Sequence, residues 1–156
     1  MSAARDPIRI TLDRWHRHLA GELPGGLDAI LHPDCVFLSP IVFTPQRGRD
    51  VTKLYLGAAG ATLVGSKHPD LRVDDASPFR YVKQVAEGRH AVLEFETTMN
   101  DGERDIAVNG VDIITCDDEG MIVEFKVMIR PLQAINLVHA QMKAALAAFA
   151  DHGGGA

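Results

Sequence analysis

The hydrophobic period of this chain changes once, near His68, and that change constrains the fold more than any other feature. Before it, apolar residues recur every three to four positions. Ile8, Leu12, Trp15 and Leu19 share one face of a helix over 7–21, opened by Pro7. Leu27, Ile30 and Leu31 predict a short second helix, ended by His32-Pro33-Asp34. Cys35 to Leu38 reads as a short apolar strand stopped by Ser39-Pro40. Gly48-Arg49-Asp50 opens a third helix, with Val51, Leu54, Tyr55, Ala58, Ala61 and Thr62 on one face and Asp50 favourable near its positive end. After His68 the period becomes two. Strands are predicted over Phe79 to Ala86, Arg89 to Thr98, Asp105 to Cys116 and Met121 to Arg130, punctuated by Glu87-Gly88, Asn100-Asp101-Gly102 and Asp118-Glu119-Gly120. Pro131 stops the last strand, and Ile135, Val138, Met142 and Phe149 line a C-terminal helix.

Helices followed by a strand meander imply an α+β fold, with helices on one face of a curved antiparallel sheet. A sheet curved around helices makes a cone whose open end is a pocket. The chain of 156 residues is one domain's worth, taken as 7–149, with 1–6 and 150–156 as flexible ends. A net charge of −5, without a basic cluster, argues against nucleic acid. No apolar run reaches the ~18 residues of a membrane span, and the charged first twenty residues do not read as a secretory signal. Cys35 and Cys116 form no CxxC pair and read as reduced core thiols. These features place the chain in the cytoplasm. The seven histidines carry no metal-ligand spacing, and no metal or cofactor is expected. His16 and His18, two apart on a helix, point to different sides.

The element order, with Val36-Phe37-Leu38-Ser39-Pro40, Gly48-Arg49-Asp50 and Gly120-Met121-Ile122-Val123-Glu124-Phe125, resembles the NTF2-like superfamily, in its SnoaL-like and ketosteroid-isomerase-like branch. The resemblance covers roughly residues 8–145. It implies a cone-shaped α+β fold, an apolar pocket and a homodimer. It also implies one of several activities, among them isomerase, polyketide cyclase, epoxide hydrolase and dehydratase, or no catalysis at all. Ketosteroid isomerases use an Asp base and an oxyanion hole of a Tyr and a protonated Asp. By resemblance, that Tyr falls on Trp15, the base on Ser39, a supporting Tyr on Leu56 beside Tyr55, and the oxyanion-hole Asp on Asp112. A serine cannot take a proton from carbon without its own base, so ketosteroid isomerisation is not expected. The cyclases' His-Trp pair falls on Phe125 and Lys126, and the epoxide hydrolases' Arg-x-Asp pattern does not occur on the strand of Glu94 and Glu96.

Asp112 is the sharpest candidate for catalysis. It shares a strand face with Val108, Gly110, Ile114 and Cys116, so it is either a pocket acid or an ion-pair partner of a base such as Arg130. Trp15, Ser39, Tyr55, Val108, Phe125 and Val127 are the candidate ligand-binding residues. Glu94 and Glu96 read as an outward, solvated or dimer-facing pair, with Lys126 as a possible partner, beside Ile113, Thr115 and Met128. The sequence therefore predicts a small, largely apolar organic ligand held in a conical pocket with Asp112 as its main polar group. An isomerase-, cyclase- or dehydratase-type enzyme and a non-catalytic binding or dimeric interaction module both remain open.

Overall fold

The computed structural model describes residues 6–64 and 78–153. Helix α1 (Pro7–Leu19) is followed by a 3₁₀ turn (Gly26–Ala29), strands β1 (Leu31–Leu38) and β2 (Gln46–Arg47), and helix α2 (Arg49–Ala59), which runs into a π-helical turn (Gly60–Val64). Strands β3 (Arg80–Glu87), β4 (His90–Asn100), β5 (Asp105–Cys116) and β6 (Ile122–Arg130) then lead to helix α3 (Leu132–Gly153). The six strands form one curved sheet in the order β2-β1-β6-β5-β4-β3. The sheet is mixed rather than purely antiparallel, because β1 pairs parallel to β6.

The α+β fold expected from the period change is the one observed. Two local expectations fail. The predicted second helix is only the 3₁₀ turn, and Leu31 already begins β1. Leu31 pairs with Ile122, and the register with β6 slips before Val36, so the strand passes Pro33 without needing its missing N–H. On α2, Thr52, Leu56, Gly57 and Ala58 are buried while Leu54 is exposed. The helix is apolar on several sides, so the period alone does not select its face. Its seat is set at Gly48, whose backbone N–H bonds to the Cys35 carbonyl and whose carbonyl accepts from the Thr52 amide and hydroxyl. Helix α3 runs on to Gly153, past the boundary expected at 149, and the Phe149 side chain lies outside the described residues.

Strand alternation separates two faces. Val108, Gly110, Asp112, Ile114 and Cys116 of β5 point inward, together with Leu93, Phe95 and Thr97 of β4. Gly110 has a packing reason. A Cβ there would come within 2.6 Å of the Met128 carbonyl and run into the Phe95 ring. Its absence lets that ring lean over β5. Helix α1 covers the inner face and is pinned at three points. The Ile8 amide donates to the Gly88 carbonyl, the Gly88 amide donates to the Asp6 carboxylate, and the Thr11 hydroxyl donates to the Gly120 carbonyl at 2.7 Å. Both adjoining strand turns thus fix the helix that carries Trp15. Cys35 and Cys116 are buried free thiols, and burial raises the pKa of each.

Candidate functional site

Between α1, α2 and the inner sheet face lies a small cavity of about 30 Å³, room for about one water molecule. Trp15 of α1, Leu56 and Ala59 of α2, Phe95 of β4, and Phe125 and Val127 of β6 wall it. Two polar side chains, Tyr81 and Asp112, also line it. Trp15 and Phe125 pack with ring centroids 5.1 Å apart, and Phe79 stacks on Phe95 at the same separation. Such aromatic pairs form a rigid apolar wall.

Three side chains form a directed hydrogen-bond chain at this wall. The Trp15 indole N–H donates to the Tyr81 hydroxyl oxygen at 3.0 Å, and the Tyr81 O–H donates to Asp112 Oδ2 at 2.6 Å. Tyr81 sits on β3, next to a bulge between Tyr81 and Lys83, and its side chain crosses β4 to reach β5. Burial penalises the charged carboxylate and pushes the Asp112 pKa up to about 7, against the opposing effect of the Tyr81 hydrogen bond. Burial, then the Asp112 charge, holds the Tyr81 phenol well above its usual range. Arg130 is exposed at the end of β6, opposite Asn109, and makes no ion pair with Asp112. Asp112 thus lines the cavity, and Arg130 lies away from it.

The candidate residues do not all meet. Trp15, Phe125 and Val127 join Asp112 in the cavity. Ser39 and Tyr55 do not; they line a separate groove of about 170 Å³ together with Ile41, Met142 and His139. Tyr55 stacks on Phe37 at 5.3 Å, and Phe37 faces Phe125, so aromatic rings lie between Tyr55 and Trp15. The Ser39 hydroxyl oxygen accepts from the Ile41 and Val42 amides, which is a turn-forming role. Val108 is buried on the inner face but borders an open groove of about 1000 Å³ at the sheet end, not the cavity. Tyr81 is the residue the sequence reading missed. Its parity with Phe79 and against Arg80 marks it as inward, but its reach to Asp112 depends on the bulge and on β4 between them. Among the described residues no three His, Cys, Asp or Glu side chains gather as a metal site.

The model of the SnoaL-like domain matches residues 12–125. The chain belongs to the SnoaL-like domain family. A steroid Δ-isomerase of Nocardioides simplex is 23% identical over 124 residues, covering 80% of this chain and 90% of that protein. Among solved structures, a steroid Δ-isomerase from Pseudomonas aeruginosa superposes with a TM-score of 0.74 at 34% identity, covering 92% of this chain and 93% of that one. A bacterial protein with a cystatin-like fold from Silicibacter pomeroyi matches with a TM-score of 0.66 at 29% identity, covering 86% and 83%. The NTF2-like resemblance read from the sequence is thus the family's own. No helix among the described residues of this SnoaL-like chain is long and apolar enough to cross a membrane.

Proposed function

We propose that this SnoaL-like protein binds a small, largely apolar organic molecule in the conical cavity and acts on it as an isomerase-, cyclase- or dehydratase-type enzyme, with Asp112 as the acid. The observation that carries the reading is a buried carboxyl in an aromatic wall, with no cation beside it among the described residues and one phenol holding it. A carboxylic acid kept neutral near pH 7 can donate a hydrogen bond to a carbonyl or enolate oxygen. Asp112 and Tyr81 both line the cavity, and a carboxyl held in place by a phenol favours chemistry over simple binding. Trp15, Phe125 and Val127 are the ligand's apolar contacts. Ser39, Tyr55 and Val108 are set aside, because they line other grooves. No cofactor or metal enters this reading.

The relatives named as steroid Δ-isomerases support an isomerase-type activity without naming the substrate. We expect no turnover of a 5-ene-3-ketosteroid. The position that carries the base in that chemistry is Ser39, which does not line the cavity. The cavity also holds only about 30 Å³, so any ligand larger than a water must displace part of its wall. The protein works as a homodimer through the outer sheet face, where Val85, Val92 and Met128 are exposed. Its place is the cytoplasm, where buried thiols such as Cys35 and Cys116 stay reduced.

Native mass spectrometry of the purified protein tests the ligand. A bound apolar molecule carrying a carbonyl, absent from Asp112→Ala, is the expected result. A co-purifying ligand retained unchanged in that variant would sink the assignment.

A further inference from the structure

Asp112 has two carboxyl oxygens, and they stand in different situations. Oδ2 accepts the Tyr81 hydroxyl at 2.6 Å, whereas Oδ1 accepts no hydrogen bond from a described residue. The Trp15 indole N–H, the remaining polar hydrogen on the wall, is directed to the Tyr81 oxygen and not into the cavity. An indole N–H has one hydrogen to give. The chain thus runs one way, from Trp15 through Tyr81 to Asp112, and ends on one oxygen.

We infer that Tyr81 is the positioning residue of this site: backed by Trp15, it fixes Asp112 Oδ2 and turns Oδ1, with any proton it carries, toward the bound molecule. Trp15 then serves as wall and as support for the phenol, not as a donor to ligand. The ligand meets one hydrogen-bonding oxygen on an otherwise apolar surface. That suits a molecule with a single acceptor oxygen, such as a ketone, and disfavours a carboxylate. This inference rests on Asp112 being the group that meets the ligand, but its test needs no ligand.

The other titratable groups near this chain are few. Tyr81 meets the ring of the exposed His16 edge-on at 5.9 Å, and His16 itself bonds to Gln84. His18 packs on Trp15 with ring centroids 5.8 Å apart and does not line the cavity. The cavity walls contributed by α2, β4 and β6 are apolar.

The test is a carbon-13 NMR titration of the Asp112 carboxyl in wild type, Tyr81→Phe and Trp15→Phe. A hydroxyl bonded to the carboxylate favours its charged form, so losing it raises the midpoint. Tyr81→Phe is expected to raise it by about one pH unit or more. Trp15→Phe weakens the phenol as a donor and raises it in the same direction by less. A His16→Gln background removes the nearby imidazole and leaves both shifts in place.

A structural role in packing would change stability without this graded order. Tyr81→Phe that folds but leaves the midpoint unchanged, or lowers it, overturns the inference. Wild type provides a second readout should the variant not fold. The chain has two tyrosines, so the Tyr81 ring carbon bearing oxygen is assignable. Its resonance must follow the Asp112 midpoint, and a Tyr81 signal that ignores that titration overturns the inference as well.

Discussion

The two faces of β4 and β5 are built from the same strands and hold carboxylates in opposite ways. On the outer face, Glu94 accepts from the Asn109 amide at 3.0 Å, and Glu96 lies 3.8 Å from Arg80. Lys126, expected beside these glutamates, faces Ile113 across the strands instead. On the inner face, Asp112 has neither amide nor cation among the described residues, only the Tyr81 phenol. Water and mobile charges can adapt to the outer pairs, and such exposed pairs contribute little to stability. The inner carboxyl has no such recourse. Its charge state is coupled to folding, and its neutral form is the one the wall tolerates.

The same contrast governs packing, and the largest expected effect tests it there. Phe125 is 1% exposed and touches both Trp15 and Phe37, whereas Met128, three residues on, is 51% exposed. Phe125→Ala is expected to lose about 4 kcal/mol in chemical denaturation. Met128→Ala should lose about 0.5 kcal/mol in the isolated subunit. Similar losses at both positions would mean that the inner face is not the core described.

The next effect concerns charge. The native state holds the Asp112 proton up to about pH 7, while an unfolded aspartate releases it near 3.8. Between these values the native state binds more protons, so stability falls as pH rises. The stabilising contribution of the neutral acid is complete below pH 4 and lost as pH rises through 7. Asp112→Asn cannot ionise and lacks this slope. Relative to wild type, Asp112→Asn should gain on the order of a few kcal/mol between pH 4 and pH 8. Thermal melts across that range measure it, and a constant difference would show Asp112 to be an ordinary paired anion.

The inner and outer faces of the strands were legible in the sequence because alternation by two is a local property of β-structure. Asp112 could be singled out on that basis, as a carboxyl on an apolar strand face. Its partner could not. The Arg130 alternative arose because both residues sit on adjacent strands, but the register sets Arg130 opposite Asn109 and Val127 opposite Asp112. Arg130 lies three residues beyond Val127, an odd offset that puts it on the other face of β6 from Asp112. Resemblance groups Ser39 and Tyr55 with Asp112, but the packing of Phe37 between Tyr55 and Phe125 separates them. The face of α2 is not legible for a related reason: a helix that is apolar on several sides takes its orientation from tertiary contacts.

A third prediction sharpens the contrast by testing what covers the outer face. Val92 pairs with Ile113, and Val111 with Met128, forming an apolar patch bordered by Lys126 and Glu94. Such a surface, carrying both signs of charge around apolar residues, is self-complementary under two-fold symmetry. Ile113→Glu with Met128→Glu should weaken the proposed dimer by about 100-fold or more, since like charges buried at an interface without partners are strongly unfavourable. Light scattering against concentration reads the shift from dimer to monomer. Wild type appearing at the subunit mass of 17.0 kDa at micromolar concentration would remove the dimer altogether.

The smallest effect is expected at Ser39, and it bears on the boundary between the two pockets. Its hydroxyl oxygen accepts from two backbone amides of the turn after β1, so Ser39→Ala should lose about 1 kcal/mol of stability. It should leave ligand binding and any turnover within about twofold, a difference of roughly 0.4 kcal/mol. The reason is positional. Ser39 shares one groove with His139 and Lys143 of α3 that has no residue in common with the Asp112 cavity, and although it also borders a groove of about 490 Å³ with Val127, it does not line the cavity itself. A loss of turnover of tenfold or more in Ser39→Ala, with the fold intact by thermal melt, would show that the two grooves join when a ligand is bound. The aromatic stack from Tyr55 to Trp15 would then be a gate rather than a wall. Tyr55→Leu, which removes one ring of that stack, should in that case alter turnover in parallel with Ser39→Ala. With the grooves separate, it changes stability alone.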